Sequence, residues 1–238
     1  MIKNHPIFSI KLDKLTIDDA ELELNVCEGI SKIDLLLKIM KINPICDFDL
    51  EKLFVKLRKT LLLNSKKISE KSNLLNFQIA LASQCFINEY IYPETDEEIS
   101  IINDIEKTIL SSSKINSGIN VFTIAALASY RPLNKYELFS NKPFEKDLSS
   151  IYKEQIKNIS EEKIIEKTIK NLTNIVDPIS LNVKSQYEEN PYPRWEKCSS
   201  PFPFINLLEM KNNLNLKVRL SDEKRPKKFK ILVAGCGT

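Results

Sequence analysis

The sequence predicts a mainly α-helical chain, with a helical domain over residues 1–178 and the first strand of an α/β domain within residues 205–238. Three observations lead to this prediction. Apolar residues recur at helical spacing through the first part, glycine is rare at 4 of 238 residues, and the last residues combine an apolar strand with a Gly-x-Gly turn. Because tight β-turns usually need glycine, its scarcity favours helices over most of the chain.

The composition is typical of a globular protein. Apolar residues make up 42% and charged residues 28%, and the formal net charge is only +3, so neither a nucleic acid nor a membrane is expected as a partner. The chain start lacks the apolar stretch of a secretory signal, and no two cysteines form a CxxC pair, which predicts reduced thiols in the cytoplasm. The single histidine, His5, gives no basis for a metal site. The five cysteines are Cys27, Cys46, Cys85, Cys198 and Cys236.

The first two helices are predicted between residues 31 and 62. One apolar face precedes Pro44, which ends the first helix, and Asp47 is placed to cap the second. A stripe of leucines and a phenylalanine predicts the buried face of the second helix, with basic residues on its other side. The first face consists of Ile33, Leu36, Leu37 and Met40; the second of Leu50, Leu53, Phe54, Leu57, Leu61 and Leu62; the basic residues are Lys56, Arg58 and Lys59.

Residues 70–91 are apolar around most of the helical circumference, which predicts a central, buried helix that Pro93 stops. Thr95 and Glu98 form a capping box for the next helix, which is expected to end near Ser111. Residues 120–130 predict a short apolar helix. Among the polar residues of the central helix, we expect contacts between helices, or alternatively a substrate groove, for Gln84, Cys85, Asn88 and Glu89.

The later part of the helical domain contains fewer signals. Pro132 and Pro143 frame a stretch that we expect to be irregular. Ser160 is expected to begin a helix that ends before Pro178. Its apolar residues are Ile164, Ile165, Ile169 and Leu172.

The character of the sequence changes after residue 178. Residues 179–204 are rich in prolines and aromatic residues and predict a linker or a lid. Residues 229–234 then form a run that is apolar except for Lys230, of the kind found in buried parallel strands, and Gly235 and Gly237 follow it. Glycines at such a turn let the backbone approach a nucleotide-like ligand closely, although a plain strand and turn is an alternative. Because a lone parallel strand cannot form a sheet, we expect the chain to be part of a longer α/β protein.

Two segments resemble a family of bacterial class I S-adenosylmethionine-dependent methyltransferases that are often fused to tetratricopeptide repeats. LVAGCGT at the end of the chain is similar to the first cofactor motif of these enzymes, and QYEENPYPRW at residues 186–195 resembles a segment that precedes that motif. LASQCFINEYIY, residues 81–92, is similar to the region before their catalytic domain. The resemblance implies a Rossmann-like catalytic domain and S-adenosyl-L-methionine as cofactor.

The resemblance also implies roles for individual residues. Gly235, Cys236, Gly237 and Thr238 would line the cofactor, and the segment with Asn190 would fold over it as a lid. Aromatic rings would face the sulfonium by cation–π attraction, Glu188 or Glu189 would accept from the amino group, and Arg194 would hold the carboxylate. The aromatic residues are Tyr187, Tyr192 and Trp195.

The expected activity is methyl transfer to an acceptor that the sequence does not identify, and proteins are one class of such acceptors. The sequence assigns no catalytic base. We expect the 238-residue chain to be inactive alone. Two alternatives stay open: the helical domain is a protein-interaction module, or the Gly-x-Gly turn belongs to a nicotinamide-binding enzyme.

Overall fold

The computed structural model describes residues 20–68, 73–111, 120–140, 146–169 and 176–189. These residues are 76% helical and contain no strand, which confirms the mainly α class. They all belong to the first of two compact units, Met1–Glu196. The predicted strand at residues 229–234 lies outside the described residues.

Ten α-helices follow one another along the described segments. They are α1 (Ala20–Ser31), α2 (Asp34–Met40), α3 (Phe48–Leu63), α4 (Leu74–Ile87), α5 (Asp96–Ser111), α6 (Val121–Leu127), α7 (Glu137–Ser140), α8 (Ser149–Tyr152), α9 (Ile159–Glu166) and α10 (Pro178–Glu189). Two 3₁₀ turns, Leu133–Lys135 and Lys146–Leu148, and one π-helical stretch, Lys153–Asn158, complete the set.

Helix α4 is the centre of the fold, as its sequence predicts. Every residue of α4 except Asn76 is buried, and the helix contacts α1, α2, α3, α6 and α8. The helix ends at Ile87, before Pro93, because Glu89 and Tyr90 adopt left-handed backbone with φ of 57° at both residues. The chain is therefore turned by these two residues, and the proline comes later in the connection.

The predicted helix caps are present. The Asp47 side chain accepts a hydrogen bond from the backbone N–H of Leu50, at 3.2 Å. In the capping box of α5, the Thr95 N–H donates to Glu98 Oε2 at 2.7 Å, and the Glu98 N–H donates to Thr95 Oγ1 at 3.4 Å. Such bonds satisfy N–H groups that the first helical turn leaves unpaired. The local sequence therefore sets where α3 and α5 begin.

Two local predictions need correction, and one helix was missed. Helix α1 was not predicted, although Val26, Cys27 and Ile30 bury one of its faces. Ser160 does not begin a helix, because helical backbone runs without a break from Ser149 to Glu166. The stretch after Pro132, expected to be irregular, contains the 3₁₀ turn and α7.

Three of the four apolar residues predicted for the helix after Ser160 lie in the described part of the chain, and none of them is buried. Ile164, Ile165 and Ile169 are 62%, 56% and 66% exposed. The helical spacing of these residues is real, but helical spacing produces burial only where a neighbouring element covers the face. Leu172 lies outside the described residues.

Candidate functional site

Most of the predicted cofactor residues lie outside the described part of the chain. Only Tyr187 and Glu188 are described, at the end of α10. The others are Asn190, Tyr192, Arg194, Trp195, Gly235, Cys236, Gly237 and Thr238. Their predicted roles remain predictions.

Tyr187 and Glu188 are both open to solvent. The Tyr187 ring is 62% exposed, and the Glu188 carboxylate lies 3.4 Å from Lys184 Nζ in an exposed pair of the i,i+4 type. At the start of α10 the Asp177 carboxylate accepts from the Ser180 N–H at 2.8 Å, and hydrogen bonds from the helix start hold its pKa below the usual value. Helix α10 therefore has a defined start and presents both predicted residues at its exposed end.

The most developed polar site in the described residues is buried. We define the Arg58 cluster as Arg58, Tyr92, Glu98, Ser129 and Tyr130, all less than 6% exposed. Helix α3 supplies the arginine, and α5 supplies the glutamate. The other three residues come from the α4–α5 connection and the end of α6. The cluster thus joins four parts of the chain.

Hydrogen bonds, charge and aromatic rings surround the guanidinium. Its Nη2 donates to the Pro93 carbonyl at 2.7 Å, and Nη1 lies 3.5 Å from the Ser129 carbonyl oxygen. Glu98 Oε1 is 3.8 Å from Nη2. The guanidinium carbon lies 4.1 Å from the centre of the Tyr130 ring and 5.8 Å from that of Tyr92. A carboxylate, two carbonyl oxygens and two aromatic rings thereby stabilise a positive charge that has no contact with solvent.

Glu98 has a second partner in the cluster. The Tyr130 hydroxyl donates to Glu98 Oε1 at 2.6 Å. Burial raises the pKa of Tyr130, the bond to Glu98 raises it further, and the Arg58 charge opposes the shift. The phenol therefore keeps its proton and serves as a hydrogen-bond donor.

Buried amides complete the polar layer at the end of α6. Gln78 Nε2 donates to Ser129 Oγ at 2.7 Å and lies 3.3 Å from the Ala125 carbonyl oxygen. Gln155, in the π-helical stretch, donates to the Ala128 carbonyl at 3.1 Å and accepts from the Leu133 N–H at 3.1 Å. Carbonyl groups left unpaired at the end of α6 are thus satisfied by side chains from other elements.

The sequence-based placement of Arg58 was wrong. It was expected on the solvent face of α3 with Lys56 and Lys59, yet Arg58 is 1% exposed. The signal that would have found it is the spacing itself. Arg58 lies four residues after Phe54 and four before Leu62, on the stripe that α3 buries. Arg58 was assigned to the other face because it is basic, although its position in the helix places it on the buried face.

Of the two expectations for the four residues near the end of α4, the structure favours contacts in the interior for three of them. The Gln84 amide, oriented to satisfy both groups, bonds the Asn43 carbonyl and the Ile45 N–H at 3.2 Å each, which is a structural contact. Cys85 and Asn88 are buried, and Glu89 has left-handed backbone. Gln84, Cys85 and Asn88 thus face the interior.

Neither metal ligands nor membrane helices are found in the described segments. No three His, Cys, Asp or Glu side chains are grouped closely enough there to hold a metal ion. No helix among those ten is long and apolar enough to cross a membrane.

Comparison with known proteins gave no relatives. No protein-family model matches the chain, and no curated protein and no solved structure is significantly similar to it.

Proposed function

We propose that this chain is part of an S-adenosylmethionine-dependent methyltransferase, in which a helical domain precedes the cofactor-binding domain. One observation carries the proposal: QYEENPYPRW at residues 186–195 is followed by the apolar run and Gly-x-Gly turn of ILVAGCGT at residues 231–238. A Gly-x-Gly turn alone is common, and QYEENPYPRW is the more specific of the two segments. Their order along one chain is what resembles this class of enzymes.

The proposed reaction is the in-line transfer of the sulfonium methyl group to a nucleophile. The protein contributes mainly by positioning the two reactants and excluding water. Gly235 and Gly237 allow close backbone approach at the strand end. The Arg194 guanidinium is suited to a carboxylate, and the Tyr192 and Trp195 rings to a cation.

The described end of α10 supports this assignment as far as it extends. The Tyr187 ring is exposed and can take part in a cation–π contact. The Glu188 carboxylate has the charge that an ammonium group requires, and its exposed pairing with Lys184 is weak enough to be exchanged for another partner. Neither residue has the burial or the fixed bonding of a structural core residue.

The proposal is tested by titrating the full-length gene product with S-adenosylmethionine in a calorimeter, and separately with NAD⁺. We expect S-adenosylmethionine to bind and Gly235→Val to weaken its binding at least about ten-fold, since a side chain there blocks the approach. Phe48→Ala is the control for Tyr187→Ala, because the Phe48 ring is also open to solvent, at 70% exposure against 62% for Tyr187. Only Tyr187→Ala is expected to weaken binding.

Two outcomes would overturn the proposal. Binding of NAD⁺ in place of S-adenosylmethionine would identify the nicotinamide-binding alternative. Binding of neither ligand by a folded protein would exclude both readings of the Gly-x-Gly turn.

A further inference from the structure

Helices α9 and α10 bury none of their described side chains. No residue of α9 is buried, and every side chain described in α10 is exposed. Helix α10 has 12 residues, and isolated helices shorter than about 12–15 residues are barely stable in water. We therefore expect α10 to need a surface that covers it.

Each of the two helices carries an apolar stripe on one side. Ile165 and Ile169 lie four residues apart at the end of α9, and Ile179, Val183 and Tyr187 lie four residues apart along α10. Residues at this spacing share one side of a helix. All five side chains are exposed, so both stripes are of the kind that packs against another helix.

The connection between the two helices is long enough for the stripes to meet. Residues 167–177 link the last residue of α9 to the first of α10, and a chain of that length easily spans the roughly 10 Å between the axes of packed helices. Helices joined by connections of modest length are commonly antiparallel neighbours. Both helices also belong to one compact unit.

The charges beside the stripes suit an antiparallel pair. Glu166 directly follows Ile165 on α9, and Lys184 directly follows Val183 on α10, so each charge lies about 100° around the helix from its stripe in the same direction. In an antiparallel pair these two sides face each other. The contact of Lys184 with Glu188, at 3.4 Å, is exposed and weak enough to be exchanged for one with Glu166.

We propose that α9 and α10 close on each other as an antiparallel helical hairpin, in which the stripe of α10 covers Ile165 and Ile169, and that the hairpin opens and closes while the core stays folded. The structure holds the open form, with both stripes in solvent. Closure removes apolar surface from water and brings Lys184 to Glu166. The core extends along the helix that contains α9 only to Ile156, so it does not depend on closure.

Closure changes the environment of Tyr187. The Tyr187 ring belongs to the covered stripe, whereas Glu188 lies about 100° further around the helix, on the side of Lys184. The hairpin and the proposed cofactor contact therefore compete for the Tyr187 ring. This consequence rests on the proposed function, whereas the hairpin itself does not and is measured without any cofactor.

Disulfide cross-linking between the two helices tests the hairpin. Ile165→Cys is combined with Val183→Cys in one variant and with Leu181→Cys in a control, since Leu181 and Val183 are both 45% exposed but lie on nearly opposite sides of α10. After oxidation with copper phenanthroline, mass spectrometry of proteolytic peptides distinguishes these links from those of the native cysteines. We expect the 165–183 link to form at least about ten-fold faster, because a disulfide needs Cα atoms within about 7 Å.

Two results would overturn the hairpin. Equal rates for the two links would mean that the stripe of α10 does not face α9. A 165–183 link that forms only between two molecules, at a rate that falls on dilution, would mean that a second copy of the chain covers the stripe.

Hydrogen exchange of the α10 backbone amides gives a second measure of closure. Ile165→Gln places a polar side chain in the stripe of α9, and we expect it to speed exchange in α10 by at least about three-fold, because a short helix that loses its cover frays. Lys163→Gln is the matched control, since it introduces the same side chain at an exposed position on the far side of α9. Equal exchange in the two variants would contradict the covering of α10 by α9.

Discussion

Arg58 and Lys59 are adjacent basic residues with opposite environments. The helix turns Arg58 into the core, where Glu98, two tyrosine rings and two carbonyls surround it, and leaves Lys59 at the surface beside Glu97, with 2.9 Å between Nζ and Oε2. A positive charge is therefore buried in the core at position 58 and close to solvent at position 59. The contribution of each charge to stability depends on whether its removal leaves a buried partner unpaired.

We expect Arg58→Met to lower the free energy of unfolding by about 3–5 kcal/mol, because Glu98 is left buried without its cation and the Pro93 carbonyl loses its donor. Lys59→Met removes the same charge from a partly exposed pair and should cost less than about 1 kcal/mol. Urea unfolding followed by circular dichroism gives both values. Equal losses would contradict the buried role of Arg58.

Single helices show how far local signals decide structure. Helix α6 spans only seven residues, and Asn120 begins it by accepting from the Thr123 N–H at 2.7 Å. The same amide lies 3.3 Å from the Ser65 carbonyl oxygen, after α3. One side chain thus caps a helix and connects it to a second element.

For this cap, Asn120→Ala is expected to destabilise the protein by about 1–2 kcal/mol. The substitution leaves the Thr123 N–H and the Ser65 carbonyl oxygen without the Asn120 side chain as their partner. Asn76→Ala is the matched control, since Asn76 is the one exposed residue of α4. The thermal midpoint of each variant measures the difference. If the Asn76 variant loses as much, the cap contributes nothing specific.

Helices α5 and α9 both contain isoleucines at helical spacing, but the isoleucines differ in burial. Ile105 in α5 is 5% exposed and Ile165 in α9 is 56% exposed. We expect Ile105→Ala to cost about 2–4 kcal/mol and Ile165→Ala less than about 0.5 kcal/mol in urea unfolding. A large loss at Ile165 would mean that another surface covers it in solution.

At the scale of the whole molecule, burial of weak acids makes the stability depend on alkaline pH. Burial raises the pKa of the Cys85 thiol from 9.0 to about 11, with Arg58 opposing, and it raises the pKa values of Cys27, Tyr92, Tyr130 and Tyr136 as well. At a pH below the pKa values that these groups have in the unfolded chain, the folded and unfolded states bind the same number of protons. At a higher pH the groups ionise in the unfolded chain before they ionise in the folded protein, which favours unfolding.

The contribution of these buried groups to the free energy of unfolding is therefore expected to be constant between neutral pH and about pH 9 and to fall between pH 9 and 11. Urea titrations at pH 8 and pH 10 measure the change. Cys85→Ala should show a smaller fall than the parent protein, whatever its stability at pH 8. An unchanged stability between these two pH values would contradict the buried, protonated state of the thiol.

Local sequence determined the elements that depend on near neighbours. The apolar stripes of α3 and α4 and the caps at Asp47 and Thr95 involve residues one to four positions apart, so the periodicity and the residue types suffice to predict them. Helix α1 could have been predicted in the same way. The resemblance at residues 186–195 and 231–238 is likewise a property of sequence alone, and most of the proposed cofactor site depends on it.

Only the tertiary structure decided which faces are covered. Arg58 is buried because its partners Pro93 and Ser129, 35 and 71 residues away, are brought to it by folding. Ile165 is exposed although its spacing is helical, and the Tyr90 hydroxyl, at the left-handed turn, lies 3.3 Å from the carbonyl oxygen of Ala128, which is 38 residues away. Periodicity specifies a helix and its apolar face, but the element that packs against that face comes from distant sequence.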